Sequence, residues 1–320
     1  MTSFRRFYTS SLALSMLLAF TAAITSAQSA QGVRTPRPSQ KASVMQTIGV
    51  TDVTIIYSRP GVKGRTIWGD PLPEQAGTKS DATLDDQNIR PKGAPIVPWG
   101  HPWRTGANEA TQFIVTDDVF INGQKLPAGS YSLHTIPTKD EFTIIFNSVA
   151  NQWGSFSYDP AKDTLRVKVK PEWGEHSKEW LEYWIDPIND NSAQVNIRWE
   201  KVRVPFTVEV KDIKGLTLTK ARAAVAAAKP DDWKTPLQAA NYVLLTEDRL
   251  DPEALGWLEQ SLKVKATFGN MYTKARVLAA QGKTQEAIAA GEKAMAIAKE
   301  AKAPTGDLEK RIAEWKAKKM

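Results

Sequence analysis

Apolar residues recur at every second position through the first two thirds of this chain, from about residue 42 to residue 211. The clearest run is Val202, Val204, Phe206, Val208 and Val210, where charged or small residues separate the apolar ones. Such alternation gives a strand one buried face and one solvated face. About nine segments of this kind follow one another without helices between them, which predicts an antiparallel β-sandwich or barrel.

Turn residues separate the predicted strands. Asn122-Gly123 joins two short apolar segments, and both residues tolerate the positive φ that a two-residue hairpin turn requires. Pro205 has no N–H to donate to a neighbouring strand, so we expect its strand to lie at a sheet edge. Residues 71–98 interrupt the pattern with five prolines and little periodicity. They predict an inserted surface loop, disordered or loosely packed over the domain in preference to the alternative of a functional lid.

The composition changes to alanine, lysine and leucine from about residue 216 to residue 320. Six helices are predicted there, near 217–228, 235–246, 252–265, 270–281, 284–300 and 305–318. Asp251 followed by Pro252 predicts the N-cap of the third helix. Residues 253–262 resemble residues 286–295 at an offset of 33, which is close to a tetratricopeptide period. We therefore expect a tetratricopeptide-like helical region, in which small residues allow close helix contacts at Ala254, Gly256, Ala287 and Ala289.

The N-terminus has the pattern of a secretory signal peptide over residues 1–27. Arg5 and Arg6 precede a short apolar run, and small residues before Gln28 suit cleavage between Ala27 and Gln28. Residues 28–41 hold few apolar residues and predict a flexible tail before the β domain at 42–211. We expect a periplasmic or secreted protein with no membrane span in the mature chain.

Charge and cysteine content exclude several classes of function. Without Arg5 and Arg6, the formal charge of +7 becomes +5, and this excess is spread along the chain rather than gathered in a basic tract. Nucleic acid is therefore not an expected partner. The chain has no cysteine, which excludes disulfides, thiolate catalysis and cysteine metal sites.

Two polar turns, residues 58–65 and residues 103–111, each adjoin a predicted strand, and we expect them to meet in the fold. They supply cations, an amide and a carboxylate for an anionic or carbohydrate ligand, from Arg59, Lys63, Arg65, Arg104, Asn108 and Glu109. The alternative is structural, with Glu109 in an internal ion pair with Arg104 or Arg59. We expect Arg104 to be partly enclosed and Lys63 to be solvated.

Eight of the eleven tryptophans fall in the β half of the chain. Trp199 lies at an inward position of its strand and is expected in the core. Trp99 and Trp103 flank His101 within a loop, so they are the better candidates for stacking against a ligand.

Catalytic and cofactor motifs are scarce. The chain lacks a nucleophile elbow, a phosphate-binding loop and a dinucleotide fingerprint. His101, His134 and His176 do not have the paired spacing of a metal site, and no metal or cofactor is expected. Glu109 and His134 are the candidate catalytic residues, and Asp117 or Asp118 could pair with Glu109 as in a glycosidase.

Residues 44–210 resemble a bacterial family known only as domain of unknown function 2911. The motifs that carry the resemblance are Ile55–Pro60 with Lys63–Arg65, Val97–Gly100, Trp103–Thr111, Leu126–Leu133 and Asn151–Gly154. Residues 73–96 depart from the family, whose members have a short link there. The resemblance implies a secreted or periplasmic β-rich protein and implies no activity.

Two classes of function remain at this point. The first is a non-catalytic binding module that holds a small anionic or carbohydrate ligand at the polar turns and a protein partner at the helices. The second is an extracytoplasmic hydrolase of an envelope glycan or anionic ester. The absence of a catalytic motif favours the binding module.

Overall fold

The computed structural model describes residues 35–75, 82–84, 91–244 and 251–317. The predicted signal peptide lies outside these ranges, as do residues 28–34 of the predicted tail and two parts of the predicted loop, 76–81 and 85–90.

Twelve strands form the β-rich part of the described chain. They are β1 (Gln40–Ile48), β2 (Thr51–Arg59), β3 (Trp68–Gly69), β4 (Val97–Pro98), β5 (Thr111–Val115), β6 (Val119–Ile121), β7 (Gln124–Leu126), β8 (Gly129–Pro137), β9 (Phe142–Asn147), β10 (Asp163–Val169), β11 (Glu172–Asn189) and β12 (Ser192–Glu209). These are more strands than the nine expected, because β3, β4, β6 and β7 hold only two or three residues each.

Two antiparallel sheets pack face to face. One has six strands in the order β1-β2-β5-β8-β9-β10, and the other has four in the order β11-β12-β6-β7. Their inward side chains form one core, in which Phe206 of the smaller sheet meets Phe113 of the larger with ring centroids 6.2 Å apart. Neither sheet closes on itself, so the fold is a sandwich and not a barrel.

The turn prediction is confirmed at Asn122-Gly123, which connects β6 to β7. Both residues have positive φ values, 46° and 82°. The expectation for Pro205 is wrong, because β12 has neighbours on both sides. In the described register, pairing with β11 ends at Arg203 and pairing with β6 begins at Val208. The proline therefore falls between the two partners, where a missing N–H costs no ladder hydrogen bond.

The predicted loop at 71–98 contributes to the core at its C-terminal end. Val97 is fully buried and pairs in parallel with Trp68, so β4 and β3 form a small separate sheet. Pro73–Gln75 form a 3-10 turn.

Six helices follow the sandwich in the described residues. They are α1 (Ile213–Ala226), α2 (Lys234–Tyr242), α3 (Pro252–Val264), α4 (Phe268–Ala280), α5 (Thr284–Glu300) and α6 (Leu308–Ala317). Asp251 caps α3 by accepting a hydrogen bond from the Ala254 N–H, as expected for an aspartate followed by proline. None of these helices is long and apolar enough to span a bilayer.

The helices bury two small cores of their own, but α1 also belongs to the sandwich. Ile213 and Leu216 pack on the sandwich core, and Lys220 Nζ lies 2.6 Å from Asp117 Oδ2. The remaining helices pack in two clusters, one that includes Leu258 and one that includes Ala287.

The predicted close helix contacts are made by different small residues. Ala254 and Ala287 are fully buried, as expected, but Gly256 faces open space and Ala289 is exposed. Gly291 makes the close approach instead, since a Cβ there would lie 3.0 Å from Ile312 of α6.

Candidate functional site

The two polar turns meet, as predicted. Gly106 lies so close to the end of β2 that a Cβ would come within 3.3 Å of the Ser58 carbonyl oxygen and 2.8 Å of Thr111 Oγ1. Tyr183 of β11 adds a third element, because its hydroxyl donates to the Thr105 carbonyl at 2.9 Å. The tight turn leaves Thr105 and Asn108 with positive φ values of 51° and 60°.

The four cations of these turns do not gather around one site. Arg59 donates to the Leu181 carbonyl at 2.8 Å, and Arg65 donates to the Gly61 carbonyl at 2.6 Å. Lys63 is exposed, as expected, with its ammonium 5.6 Å from the Trp180 ring centroid. Arg59 and Lys63 therefore contact β11, whereas Arg65 bonds within its own turn.

Arg104 lies apart from the other cations, below the surface. Its side chain is 8% exposed, and this burial lowers the pKa of its guanidinium to about 10. The expectation that Arg104 is enclosed is therefore confirmed. The ion pairs that join described residues do not include Arg104 with Glu109 or Arg59 with Glu109.

His134 lies beside Arg104 on the outer face of the larger sheet, opposite the inward Tyr131 and Leu133. It is fully buried because the link between β9 and β10 covers it, with the Tyr158 ring centroid 4.9 Å away. Desolvation lowers the pKa of His134 to about 3, and the charge of Arg104 acts in the same direction.

Several buried polar atoms lack hydrogen-bond partners within the described chain. They include Nδ1 and Nε2 of His134, Oε1 of Gln152 and Oγ of Ser155. With both ring nitrogens buried and its pKa low, His134 is neutral at neutral pH. It lies beneath the link between β9 and β10 and not at an open surface.

A groove opens on the same outer face, next to this covered region. Its floor is formed by outward residues of β1, β2 and β5, and its rim by Glu109 and the segment Ala150–Trp153. It has a volume of about 320 Å³. The side chains that supply its chemistry are Lys41, Ser58, Glu109, Gln112, Asn151 and Trp153.

The rim of the groove is built from backbone pairing across the second polar turn. Glu109 and Trp153 form an isolated antiparallel bridge, in which Ala110 N–H donates to the Gln152 carbonyl at 3.0 Å. Gln112 donates to the Asn151 side-chain oxygen. Trp153 remains 49% exposed at this rim, so a large aromatic face adjoins the polar groups.

The remaining ligand candidates are placed elsewhere. Asn108 donates to the Ser39 carbonyl at 3.1 Å and so secures the chain where β1 begins. Trp103 is 4% exposed and stacks on Trp199 in the core, with ring centroids 5.6 Å apart. Trp99 lines a second cleft, together with Arg65.

The acidic residues proposed as partners of Glu109 lie at the opposite end of β5. Asp117 binds Lys220, and Asp118 binds Lys125 at 2.7 Å. Glu109 precedes β5 whereas both aspartates follow it, so neither forms a carboxylate pair with Glu109.

Within the described ranges, no three His, Asp or Glu side chains cluster as metal ligands would.

Of the six groove side chains, sequence reasoning singled out only Glu109 and missed the other five: Lys41, Ser58, Gln112, Asn151 and Trp153. Trp153 lies within Asn151–Gly154, one of the motifs that carry the family resemblance, and it was not singled out as a site residue. Its position beside Glu109 depends on a bridge between segments more than forty residues apart, which no local pattern reveals.

An antiparallel β-sandwich that carries an outer-face groove and is followed by six helices in the described residues defines the class of this protein. Residues 39–208, just over half of the 320, match the family described as protein of unknown function (DUF2911). The chain therefore belongs to the DUF2911 family, as its motifs indicated. Neither the curated proteins nor the solved structures gave a match.

Proposed function

We propose that this protein is a non-catalytic module, acting outside the cytoplasm, that binds a carbohydrate in the outer-face groove. The observation that carries the proposal is the half-exposed Trp153 at the rim of a groove lined by amide, hydroxyl, carboxylate and ammonium groups. An exposed indole supplies a flat apolar surface for the C–H face of a sugar ring. The surrounding donors and acceptors suit its hydroxyl groups.

The charges in the groove favour a carbohydrate over a simple anion. Lys41 and Glu109 are its only lining residues in the described chain that carry a formal charge, and these charges cancel. An anion site would instead concentrate cations or backbone N–H groups. The arginines that could have served an anion are bonded to carbonyls or buried.

The helical region is proposed as a second contact face for a protein partner. Its consecutive helices and the 33-residue sequence echo support a tetratricopeptide-like arrangement. This role is independent of the groove.

A glycan screen on the mature chain, followed by calorimetric titration of each hit, tests the proposal. Trp153→Ala should weaken binding at least tenfold, a loss of about 1.4 kcal/mol, because it removes the stacking surface. The matched control is Trp180→Ala, since Trp180 is 41% exposed and does not line the groove.

Three results would contradict the proposal. One is a screen without a ligand, and another is equal weakening by both tryptophan variants. The third is release of shortened or de-esterified product from a bound glycan, which would favour the alternative of an extracytoplasmic hydrolase. Product analysis by mass spectrometry on every hit separates that outcome from binding alone.

A further inference from the structure

A second cleft lies on a different part of the sandwich and shares no lining residue with the groove. It has a volume of about 740 Å³. It is bounded by the small β3–β4 sheet, the β8–β9 turn and the early part of β11. Its aromatic and charged lining is formed by Arg65, Trp68, Asp70, Trp99, Lys139, Asp140, Trp173 and Glu200.

Two indole rings form a corner in this cleft. The rings of Trp99 and Trp173 stand at 75° to each other with centroids 6.1 Å apart. Trp99 is held from behind by Trp68, whose ring is nearly parallel to it at 5.8 Å. Trp173 is 47% exposed, yet its indole N–H is fixed by a 2.9 Å bond to the Lys139 carbonyl. The corner is thus held in place by packing and by a hydrogen bond.

Carboxylates outnumber cations around the corner. The lining holds three carboxylates, from Asp70, Asp140 and Glu200, and two cations, from Arg65 and Lys139. Its formal charge is therefore −1, in a chain whose total is +7. The Arg65 guanidinium already donates to the Gly61 and Val62 carbonyls. Within the described residues, none of the three carboxylates takes part in an ion pair.

We infer that this cleft binds an organic cation of the methylated-ammonium class. Indole faces attract a cation through their quadrupole, and quaternary ammonium groups are the ligands that such aromatic corners recognise best. The methyl groups of such a cation would lie against Trp99 and Trp173. The nearby carboxylates would compensate its charge, as they would not for a neutral ligand.

A pair of ligands of matched shape tests the role of charge. Choline and 3,3-dimethyl-1-butanol differ chiefly in the charged nitrogen, so each is titrated into the mature full-length chain by calorimetry. Choline should bind at least tenfold more tightly than the neutral alcohol. Equal affinities for the two ligands, or no binding of choline at millimolar concentration, would overturn the inference.

Three variants locate the binding. Trp173→Ala should reduce choline affinity at least tenfold, whereas Trp180→Ala, at a similarly exposed tryptophan that does not line the cleft, should leave it unchanged. Lys139→Gln should tighten binding, because it removes a competing ammonium while keeping the backbone carbonyl that fixes Trp173. Equal losses in both tryptophan variants, or weaker binding by Lys139→Gln, would count against this site. Circular dichroism confirms that each variant is folded.

Discussion

His134 shows how a single buried residue can make the stability of this fold depend on pH. The folded protein holds the imidazole neutral, with a pKa of about 3, whereas an unfolded chain has a histidine pKa near 6.5. The unfolded state therefore binds the extra proton between these values. The contribution of His134 to stability is complete above about pH 6.5 and is lost progressively as the pH falls.

We predict that acidification from pH 7 to pH 5 costs the protein about 2 kcal/mol of unfolding free energy through His134 alone. His134→Gln should remove this part of the pH dependence, since glutamine does not titrate. Urea unfolding at several pH values measures the unfolding free energy of the wild type and of His134→Gln. His176→Gln changes an exposed histidine of β11 and serves as the matched control. Parallel pH profiles of the wild type and His134→Gln would contradict the prediction.

At the residue scale, alternation predicted which way side chains point but not what covers them. It placed Trp199 inward, which is confirmed. An outward position on a sheet is usually solvated, so the complete burial of His134 could not be read from β8. It depends on the link between β9 and β10, whose Tyr158 lies over the imidazole.

At the scale of elements, turn chemistry and capping were the most predictable features. The Asn122-Gly123 hairpin and the Asp251 cap depend on residues adjacent in sequence, so the local pattern determined them. The position of β12 inside its sheet depends on where two other strands end. The rule that excludes proline from central strands did not anticipate that arrangement.

Two helical glycines offer an element-scale prediction with a matched contrast. Gly256→Ala in α3 should stabilise the protein by about 0.5–1 kcal/mol, because alanine restricts the unfolded chain and the new methyl group meets open space. Gly291→Ala in α5 places the same group 3.0 Å from Ile312. It should therefore gain less than Gly256→Ala or destabilise the protein, which thermal unfolding of the two variants measures. Equal gains in stability at both positions would show that α6 shifts to accommodate the new methyl group without a cost in free energy.

At the scale of the whole molecule, the order of a β domain and a helical region was predictable from the period-two alternation and the later change in composition. The boundary between the two regions was less predictable. The change to alanine-rich sequence placed the boundary between residues 211 and 216, yet α1 begins at Ile213 and its first turns pack on the sandwich. Composition reports the kind of element and does not report which core that element joins.

This attachment of α1 leads to a prediction about truncated chains. A fragment of residues 28–226, which keeps α1, should be more stable than a fragment of residues 28–211 by roughly 2 kcal/mol or more. Ile213 and Leu216 cover the edge of the sandwich core, and burial of apolar area contributes about 25 cal/mol per Å². The pair between Lys220 and Asp117 adds to this, with the Asp117 side chain only 13% exposed. Urea unfolding of both fragments, monitored by circular dichroism, measures the difference in unfolding free energy.

The longer fragment carrying Ile213→Ala and Leu216→Ala is the control that separates packing from length. If α1 stabilises the sandwich by covering its core, this variant should unfold at nearly the same urea concentration as the shorter fragment. Retained stability in the variant would assign the effect to Lys220 and Asp117 instead. Equal stability of the two unmodified fragments would show that the sandwich core is complete at residue 211 and that α1 only rests on it.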